Sequence, residues 1–461
     1  MDTKIKRSPE DVETEQRRVL GPTIWKLQDP KLVARFQRFC GIISTHSLSG
    51  QTIANRAQKI ESQTEAKRDA AQAHFANLIE RRDDATDDEQ SVRSRPGVAA
   101  DAETKPNETK VTPNGTSSES DDARSSDDAL LDKEFIITNW FFYYLFSFGA
   151  SLGNGVFYIT FFPAWFWNID GYVGRRIVLV WALSMFIGQA IKDVVRWPRP
   201  AAPPVAQLER RYALEYGMPS THAMVGFTVP FAVVVFTHDR YEYALIYAVV
   251  FATAWCALVA LSRLYMGMHS ALDVIAGLLL AAALMIALLR WVDAFDEFQL
   301  QSRIAPLFTV GVAVALAVNY PELDKWSTSR GDTTNILGIC AGIYVGSWLN
   351  FQLGYMTGPS LPAPFRIIWP TFHDVGLMAL RMCIGIAIAC ATQAAMKACT
   401  YPLLCRVWNL DRRDPRSKQR LIVEVPYGFL VYGAIAFNVV FTATRVFAIL
   451  NIEREMWYTE I

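Results

Sequence analysis

Residues 176–200 read RIVLVWALSMFIGQAIKDVVRWPRP, a long apolar run that ends in a cluster of charged side chains. A run of about 18 or more mainly apolar residues is long enough to cross a bilayer as a helix. Similar runs predict spans near 136–150, 155–168, 176–195, 224–237, 244–262, 271–291, 304–320, 334–351, 374–399 and 426–450. The predicted fold class is therefore all-α, a polytopic transmembrane helical bundle embedded in a lipid bilayer.

The first two runs are short and are separated by Gly153-Asn154-Gly155. They form either two helices or one bent helix, because the conformational freedom of glycine weakens a helix at that point.

The composition argues against nucleic acid as a partner and against a zinc site formed by cysteines. The 461 residues include 45 Lys and Arg and 45 Asp and Glu, so no net positive charge favours nucleic acid as a partner. The 7 cysteines follow no zinc-binding spacing and are expected to be small buried side chains. The sequence carries no indication of oligomeric state.

The first 133 residues differ from the rest in being polar and charged. Residues 1–56 are predicted to be a cytosolic N-terminal segment with an amphipathic helix whose apolar face carries Leu32, Val33, Phe36, Phe39 and Cys40. That helix either docks on the protein or lies on the membrane surface. Residues 57–133 are predicted to be a charged, largely disordered linker, since they contain too little apolar surface to offset chain entropy.

Three charged motifs stand at the ends of apolar runs. The first is Lys192–Pro200 (KDVVRWPRP), the second is Pro219–His222 (PSTH), and the third runs from Ser262-Arg263 through His269 to Asp273. One such residue at a helix end is typical of an interfacial anchor. Three motifs together indicate function, because ionisable groups in membrane segments are costly to place.

Loop charge predicts the side of the membrane on which these motifs lie. Arg175 and Arg176 lie between two predicted spans, and positive residues favour the cytoplasmic side. Alternating the later spans then places all three motifs on the opposite face. The basic loop 400–425 is an exception, since ten spans would put it on that face as well.

The motifs supply what hydrolysis of a phosphate monoester requires. Lys192, Arg199 and Arg263, here called the cation cage, can neutralise the phosphate oxygens. Ser220 can donate its hydroxyl to a phosphate oxygen, and the helix that starts beside it presents backbone amides to an anion.

His269 is the predicted nucleophile. Asp273 is four residues further on and is predicted to share a helix face with it, so that the carboxylate fixes the imidazole tautomer. His222 is the candidate acid that protonates the departing alkoxide. We expect no metal and no other cofactor, because the cage supplies the positive charge.

The order of these motifs resembles the type 2 phosphatidate phosphatase superfamily. That superfamily usually has glycine where this chain has Thr221, which the resemblance places among the phosphate-binding residues. The stretches GQAIKDVVRWPRP, EYGMPSTHAM and SRLYMGMHSALD are most similar to the sphingosine-1-phosphate phosphatase branch, as are DPKLVARFQRFCG and PELDKWSTSRGDTT.

The resemblance implies a six-helix catalytic core at 134–300 and additional transmembrane helices at 301–461. It implies a multi-pass protein of the endoplasmic reticulum membrane with a lumenal active site, which hydrolyses phosphorylated sphingoid bases. It assigns His269 as nucleophile, Asp273 as its partner and His222 as acid. It assigns phosphate binding to Lys192, Arg199, Ser220 and Arg263. Alternatives are a phosphatase for phosphatidate or a polyprenyl diphosphate, and a non-catalytic lipid-binding or transport relative.

Overall fold

The computed structural model describes residues 21, 24–44, 135–209, 215–322, 327–356 and 362–454. The predicted linker 57–133 lies outside the described residues. The helices belong to one compact unit, formed by Met1–Ile43 and Ile137–Ile461; Ser44–Ile136 is a second unit. Two short strands, β1 (Ile42–Ser44) and β2 (Phe135–Ile137), pair with each other.

Helices make up most of the described chain. They are α1 (Pro30–Phe39), α2 (Trp140–Ser151), α3 (Gly155–Asn168), α4 (Gly171–Val195), α5 (Thr221–His238), α6 (Leu245–Tyr265), α7 (Ala271–Gln301), α8 (Ala305–Val318), α9 (Ser329–Gln352), α10 (Phe372–Val407), α11 (Leu421–Val440) and α12 (Thr442–Ile449). Together with the apolar character of the long helices, this confirms the predicted all-α membrane bundle. The core lies between α3, α4, α5, α9 and α11, around residues such as Phe166, Ile177, Trp181, Val229 and Val439.

Fewer helices are long and apolar enough to cross a membrane than the ten predicted spans. Within the described ranges there are six: α4, α5, α6, α7, α10 and the stretch Leu421–Ile449. The pair α2 and α3 makes a seventh if it counts as one span, but it bends by 61° at the Gly-Asn-Gly break. Helix α8 is shorter, and α9 begins with the polar residues Arg330 and Asp332.

Four helix termini meet at one end of the bundle, called here the cluster end. Helices α4 and α6 end there, while α5 and α7 begin there, and these termini carry Lys192, Thr221, Arg263 and Asp273. The motif-bearing termini thus lie together, as the sequence predicts.

The opposite end of the bundle is held by ion pairs. Asp170 caps α4 and accepts hydrogen bonds from Arg240 Nε at 2.5 Å and from the Tyr241 hydroxyl at 2.6 Å. Arg175 and Arg176 lie within α4, and both bond to Asp296 of α7, at 2.9 and 2.7 Å. The prediction that these two arginines form a positive loop is therefore wrong, because the helix begins earlier and acidic partners neutralise them.

Helix α1 docks on the cluster end. Val33 and Cys40 of its predicted apolar face are buried, whereas Phe39 is 80% exposed. The buried Gln37 side chain donates to the carbonyl oxygens of Ala206 at 2.7 Å and Tyr265 at 2.9 Å. Docking is therefore the better of the two interpretations. The sequence predicted a cytosolic N-terminal segment and three motifs on the opposite side of the membrane. These two predictions are not compatible, because helix α1 and the motifs lie at the same end of the bundle.

The C-terminal helices α9 and α11 approach closely through glycine. Gly338, Gly342 and Gly346 of α9 face Phe429, Gly433 and Phe437 of α11, and a Cβ at Gly342 would collide with the Gly433 carbonyl oxygen. Small residues allow such backbone contact between membrane helices. Thr328, which precedes α9, donates to Glu215 at the cluster end at 3.2 Å, so this pair of helices also supports the site.

Candidate active site

Helix α4 and the turn that follows it carry two cations of the cage. Lys192 is in the last turn of the helix, which ends at Val195, and the C-cap residue Arg196 has the left-handed φ of 55°. The chain then turns, so that Arg199 Nε donates to the Glu215 carbonyl oxygen at 2.9 Å and Nη1 to that of Met268 at 2.6 Å. These backbone bonds fix the guanidinium beside the third motif.

The start of α5 provides the second motif. Ser220 is the N-cap, and its hydroxyl oxygen accepts from the Ala223 amide at 3.4 Å. The hydroxyl hydrogen is not used by that bond, so Ser220 can still donate to a phosphate. Thr221, at the position where the superfamily usually has glycine, accepts a hydrogen bond from Lys192 Nζ at 3.2 Å. The threonine that replaces the usual glycine therefore contacts a cation of the cage.

The third motif is built differently from its prediction. Ser270 is the N-cap of α7, and Asp273 closes a capping box, with Oδ2 accepting from the Ser270 amide at 2.7 Å. His269 precedes the cap and lies outside the helix, so the spacing of four does not place it on the face of Asp273. His269 Nδ1 is 3.9 Å from Asp273 Oδ2, which is longer than a hydrogen bond. The predicted imidazole–carboxylate hydrogen bond is therefore absent from this conformation.

The geometry still leaves these two groups able to pair. Both side chains are buried, and neither His269 Nδ1 nor Asp273 Oδ1 has a hydrogen-bond partner in the described part of the chain. A small rotation of the imidazole would bring Nδ1 to the carboxylate, which is common when catalytic hydrogen bonds tighten on substrate binding.

Burial and Arg199 together favour one state of the His269 imidazole. Nη1 of Arg199 lies 3.2 Å from His269 Nε2. A guanidinium only donates, so we assign Nε2 as the acceptor and place the ring proton on Nδ1. Burial, together with the positive charges of Arg199 and Lys192, holds the pKa of His269 well below its ordinary value. The imidazole is therefore neutral, with the lone pair on Nε2 facing the cage.

His222 has a partner that the sequence motifs did not include. Its Nε2 lies 3.2 Å from Oδ1 of Asn154, at the bend between α2 and α3. A Cβ on the neighbouring Gly153 would lie 2.5 Å from His222 Cδ2, so the backbone packs directly against the ring. The Gly-Asn-Gly break was visible in the sequence as a bend, but nothing in its pattern connected it to His222.

Two buried or partly buried glutamates also lie at the site, although the sequence motifs did not include them. Glu215 accepts a hydrogen bond from Lys192 Nζ at 3.3 Å, and Glu209 accepts one from Arg263 Nη1 at 3.2 Å. Burial would raise the pKa of Glu215, but the charges of Lys192 and Arg199 prevail and lower it, so it is ionised. Both residues lie in an irregular loop, where no periodic signal marks a side chain as part of a site.

The structure thus brings all eight predicted residues to one place: Lys192, Arg199, Ser220, Thr221, His222, Arg263, His269 and Asp273. The Ser220 amide donates to the Asp273 carbonyl oxygen at 3.0 Å, which connects the second motif to the third. Within the described ranges, no group of three or more His, Cys, Asp or Glu side chains is arranged to hold a metal ion.

Comparison with known proteins agrees with this geometry. A family profile described as the PAP2 superfamily matches residues 174–297, which contain all eight residues. The chain is 38% identical over 429 residues to sphingosine-1-phosphate phosphatase 1 of Mus musculus, covering 93% of this chain and 97% of the relative. The chain belongs to the PAP2 superfamily. Within it, this chain is a member of the sphingosine-1-phosphate phosphatase family, which confirms the predicted resemblance.

Other PAP2 relatives are similar over shorter lengths. The chain is 44% identical over 318 residues to sphingosine-1-phosphate phosphatase 1 of Rattus norvegicus, covering 68% of this chain and 74% of that one. It is 39% identical over 305 residues to sphingosine-1-phosphate phosphatase 2 of Homo sapiens, covering 66% and 76%. No solved structure matches the chain.

Proposed function

We propose that this protein is a membrane-bound lipid phosphate phosphatase that hydrolyses sphingosine 1-phosphate and related long-chain base phosphates. Its family membership makes it a phosphoric monoester hydrolase, as the sequence predicts, and its relatives are named for this substrate. The observation that carries the mechanism is the contact between Arg199 and Nε2 of a buried, neutral His269, 3.2 Å apart.

The first step is attack by His269 on phosphorus. The substrate phosphate enters beside Nε2, and Arg199 transfers its hydrogen bond from the imidazole to a phosphate oxygen. A bond forms between Nε2 and phosphorus while the phosphorus–oxygen bond to the lipid breaks. His222, as an imidazolium beside the bound phosphate dianion, gives its proton to the departing alkoxide and becomes neutral. Asp273 stabilises the charge that develops on His269.

The second step returns the enzyme to its starting state. A water molecule gives a proton to His222 and attacks phosphorus, and the phosphorus–nitrogen bond breaks. Inorganic phosphate leaves, and His269 is neutral again. The cation cage carries the charge of the phosphate oxygens in both steps, which is the main electrostatic contribution of this site.

Two alternatives to this function are less well supported. Phosphatidate or a polyprenyl diphosphate would also fit the cage chemically, but the relatives at 38–44% identity are named for sphingosine 1-phosphate. A non-catalytic lipid-binding relative would have no chemical requirement for the neutral His269 or for His222.

We also propose that the protein lies in the endoplasmic reticulum membrane with its active site towards the lumen. The several membrane-spanning helices and the relatives support a multi-pass membrane protein. The lumenal orientation rests on the family resemblance and is tested separately below.

Release of inorganic phosphate from sphingosine 1-phosphate tests the function. The wild-type protein in mixed micelles should release phosphate, and His269→Ala should lower kcat at least about a thousandfold, because the nucleophile is lost. His373→Ala is the matched control, since that imidazole is exposed at the start of α10, and it should behave as wild type. Unchanged phosphate release by a folded His269→Ala protein would contradict the mechanism.

A further inference from the structure

The cation cage contains more negative charge than a simple phosphate site requires. Glu215 is shared by Lys192 Nζ at 3.3 Å and Arg199 Nη2 at 3.9 Å, and Glu209 accepts from Arg263. Among the described residues, these two carboxylates pair with all three cage cations. A phosphate dianion that binds these cations would be repelled by carboxylates that lie this close to them. The presence of the two carboxylates therefore requires an explanation.

The two glutamates differ in what holds them. Glu215 is buried and also accepts from the Thr328 hydroxyl at 3.2 Å, so its carboxylate connects the cage to the start of α9. The Glu209 side chain is 20% exposed, and its contact is to Arg263 alone among the hydrogen bonds described for it. Glu209 is therefore the carboxylate that an incoming ligand can reach.

Glu209 lies beside the cage cation Arg263, whose Nη1 donates to the Glu209 carboxylate at 3.2 Å. Arg199, by contrast, contacts His269 directly. A phosphate that binds Arg263 therefore brings the first carbons of its lipid close to the Glu209 carboxylate.

A long-chain base phosphate carries an ammonium group on the carbon next to its ester carbon. This places a positive charge beside the phosphate, on the leaving-group side. We propose that Glu209 binds this ammonium group while Arg263 binds the phosphate, so that Glu209 selects long-chain base phosphates over lipid phosphates without an amine. The inference rests on the proposed function and names the residue that determines its substrate class.

The test compares two substrates that differ in the amine. The purified full-length protein hydrolyses sphingosine 1-phosphate and octadecyl phosphate, which has a similar chain and no ammonium group, in the same mixed micelles. Glu209→Gln should lower kcat/KM for sphingosine 1-phosphate about 10- to 100-fold, as expected for loss of a charged hydrogen bond. It should change kcat/KM for octadecyl phosphate by less than about threefold. Glu209→Asp, which retains the charge, should recover part of the preference.

Asp239→Asn is the matched control, because that carboxylate is 98% exposed at the opposite end of the bundle, and it should leave both substrates unaffected. An equal loss for both substrates in Glu209→Gln would overturn the inference, since Glu209 would then only support Arg263. An equal gain would also overturn it, since Glu209 would then only compete with phosphate.

A different result would contradict the proposed function itself: the wild type would not hydrolyse sphingosine 1-phosphate, or His269→Ala would retain activity. Loss of discrimination in Glu209→Gln, with an inactive His269→Ala protein, supports both.

Discussion

Arg199 has two roles at the scale of single residues. It donates to Nε2 of His269 at 3.2 Å and, together with burial, keeps that imidazole neutral. We propose that, with substrate bound, the Arg199 Nη1–H group that faces His269 donates to a phosphate oxygen instead, while the backbone bonds to Glu215 and Met268 hold the guanidinium in place. In the proposed mechanism, Arg199 thus keeps the His269 lone pair unprotonated and then binds the phosphate that His269 attacks.

The dependence of kcat/KM on pH below neutrality should reflect the lowered pKa of His269. A histidine with a lowered pKa is neutral above that pKa, so kcat/KM of wild type should persist as pH falls through about 6.5, the ordinary value for histidine. Activity should fall only at lower pH, where His269 becomes protonated. Arg199→Gln removes one cause of the shift, so its acid limb should move to higher pH.

The comparison of the two profiles provides the control, because titration of the substrate phosphate affects both proteins equally. Identical acid limbs in wild type and Arg199→Gln would show that Arg199 does not set the protonation of His269.

At the scale of elements, the site depends on helix ends and on one helix outside the transmembrane bundle. Helix α1 places Gln37 against two parts of the chain, the loop near Ala206 and the turn after Tyr265. That loop carries Arg199 and Glu209, and the turn joins Arg263 to His269. Nearby, Gln28 accepts a hydrogen bond from the Ser270 hydroxyl at 2.6 Å, so the N-terminal segment also contacts the cap of α7.

Gln37→Ala should therefore weaken the site as well as the fold. The side chain makes three buried hydrogen bonds to backbone groups, at about 1 kcal/mol each, so we expect a loss of roughly 2–4 kcal/mol in the free energy of unfolding. Activity below the unfolding temperature should also fall, because two cage-bearing segments lose their connection.

Arg35→Ala, an exposed position on the same helix, is the control and should change neither quantity. Thermal unfolding in detergent and phosphate release measure the two effects. Wild-type values for Gln37→Ala would show that the docked helix does not support the site.

At the scale of the whole molecule, the two ends of the bundle differ in what they carry. The cluster end holds the candidate active site, helix α1 and the start of α11, where Arg330 bonds to Glu424 at 2.6 Å. The preceding basic stretch, residues 406–420, reaches the same end, because Arg330 also donates to the Gln419 carbonyl oxygen at 3.2 Å. The positive-inside tendency favours the cytoplasm for such a stretch, whereas the family resemblance places the site in the lumen.

Glycosylation distinguishes these orientations. Asn107-Glu108-Thr109 and Asn114-Gly115-Thr116 match the acceptor pattern, and the chain before and after this segment lies at the cluster end, where Gly41 accepts from the Thr138 amide at 2.7 Å. If the site is lumenal, as we propose, endoglycosidase treatment should change the mobility of the protein on a gel. Replacing both asparagines by glutamine should abolish that change.

A sequon appended after Ile461 is the control. Arg454 Nη1 donates to the Ile169 carbonyl oxygen at 2.5 Å, so the C-terminal part of the described chain lies at the opposite end. The appended sequon should remain unmodified. The reverse pattern, with only the C-terminal sequon modified, would place the active site in the cytoplasm.

The sequence by itself determined the helices and predicted which side chains meet at the candidate site. Apolar length is a local property, so each of the predicted runs overlaps at least one helix of the structure. The three motifs have fixed spacing and stand at helix ends, so their residue types already predicted the cation cage and a histidine nucleophile. The site residues themselves could be predicted because ionisable groups are so rarely placed at the ends of membrane helices without a function.

Only the tertiary structure decided how those residues are paired. Asp273 serves the helix cap because His269 lies before the cap, which spacing along the chain does not reveal. Glu209 and Asn154 reach Arg263 and His222 across long separations in sequence, from a loop and a helix bend that carry no periodic signal. The position of the N-terminal segment beside the site likewise depends on long-range contacts. Local chemistry is encoded in neighbouring residues, whereas the charge balance of the cage exists only after distant segments meet.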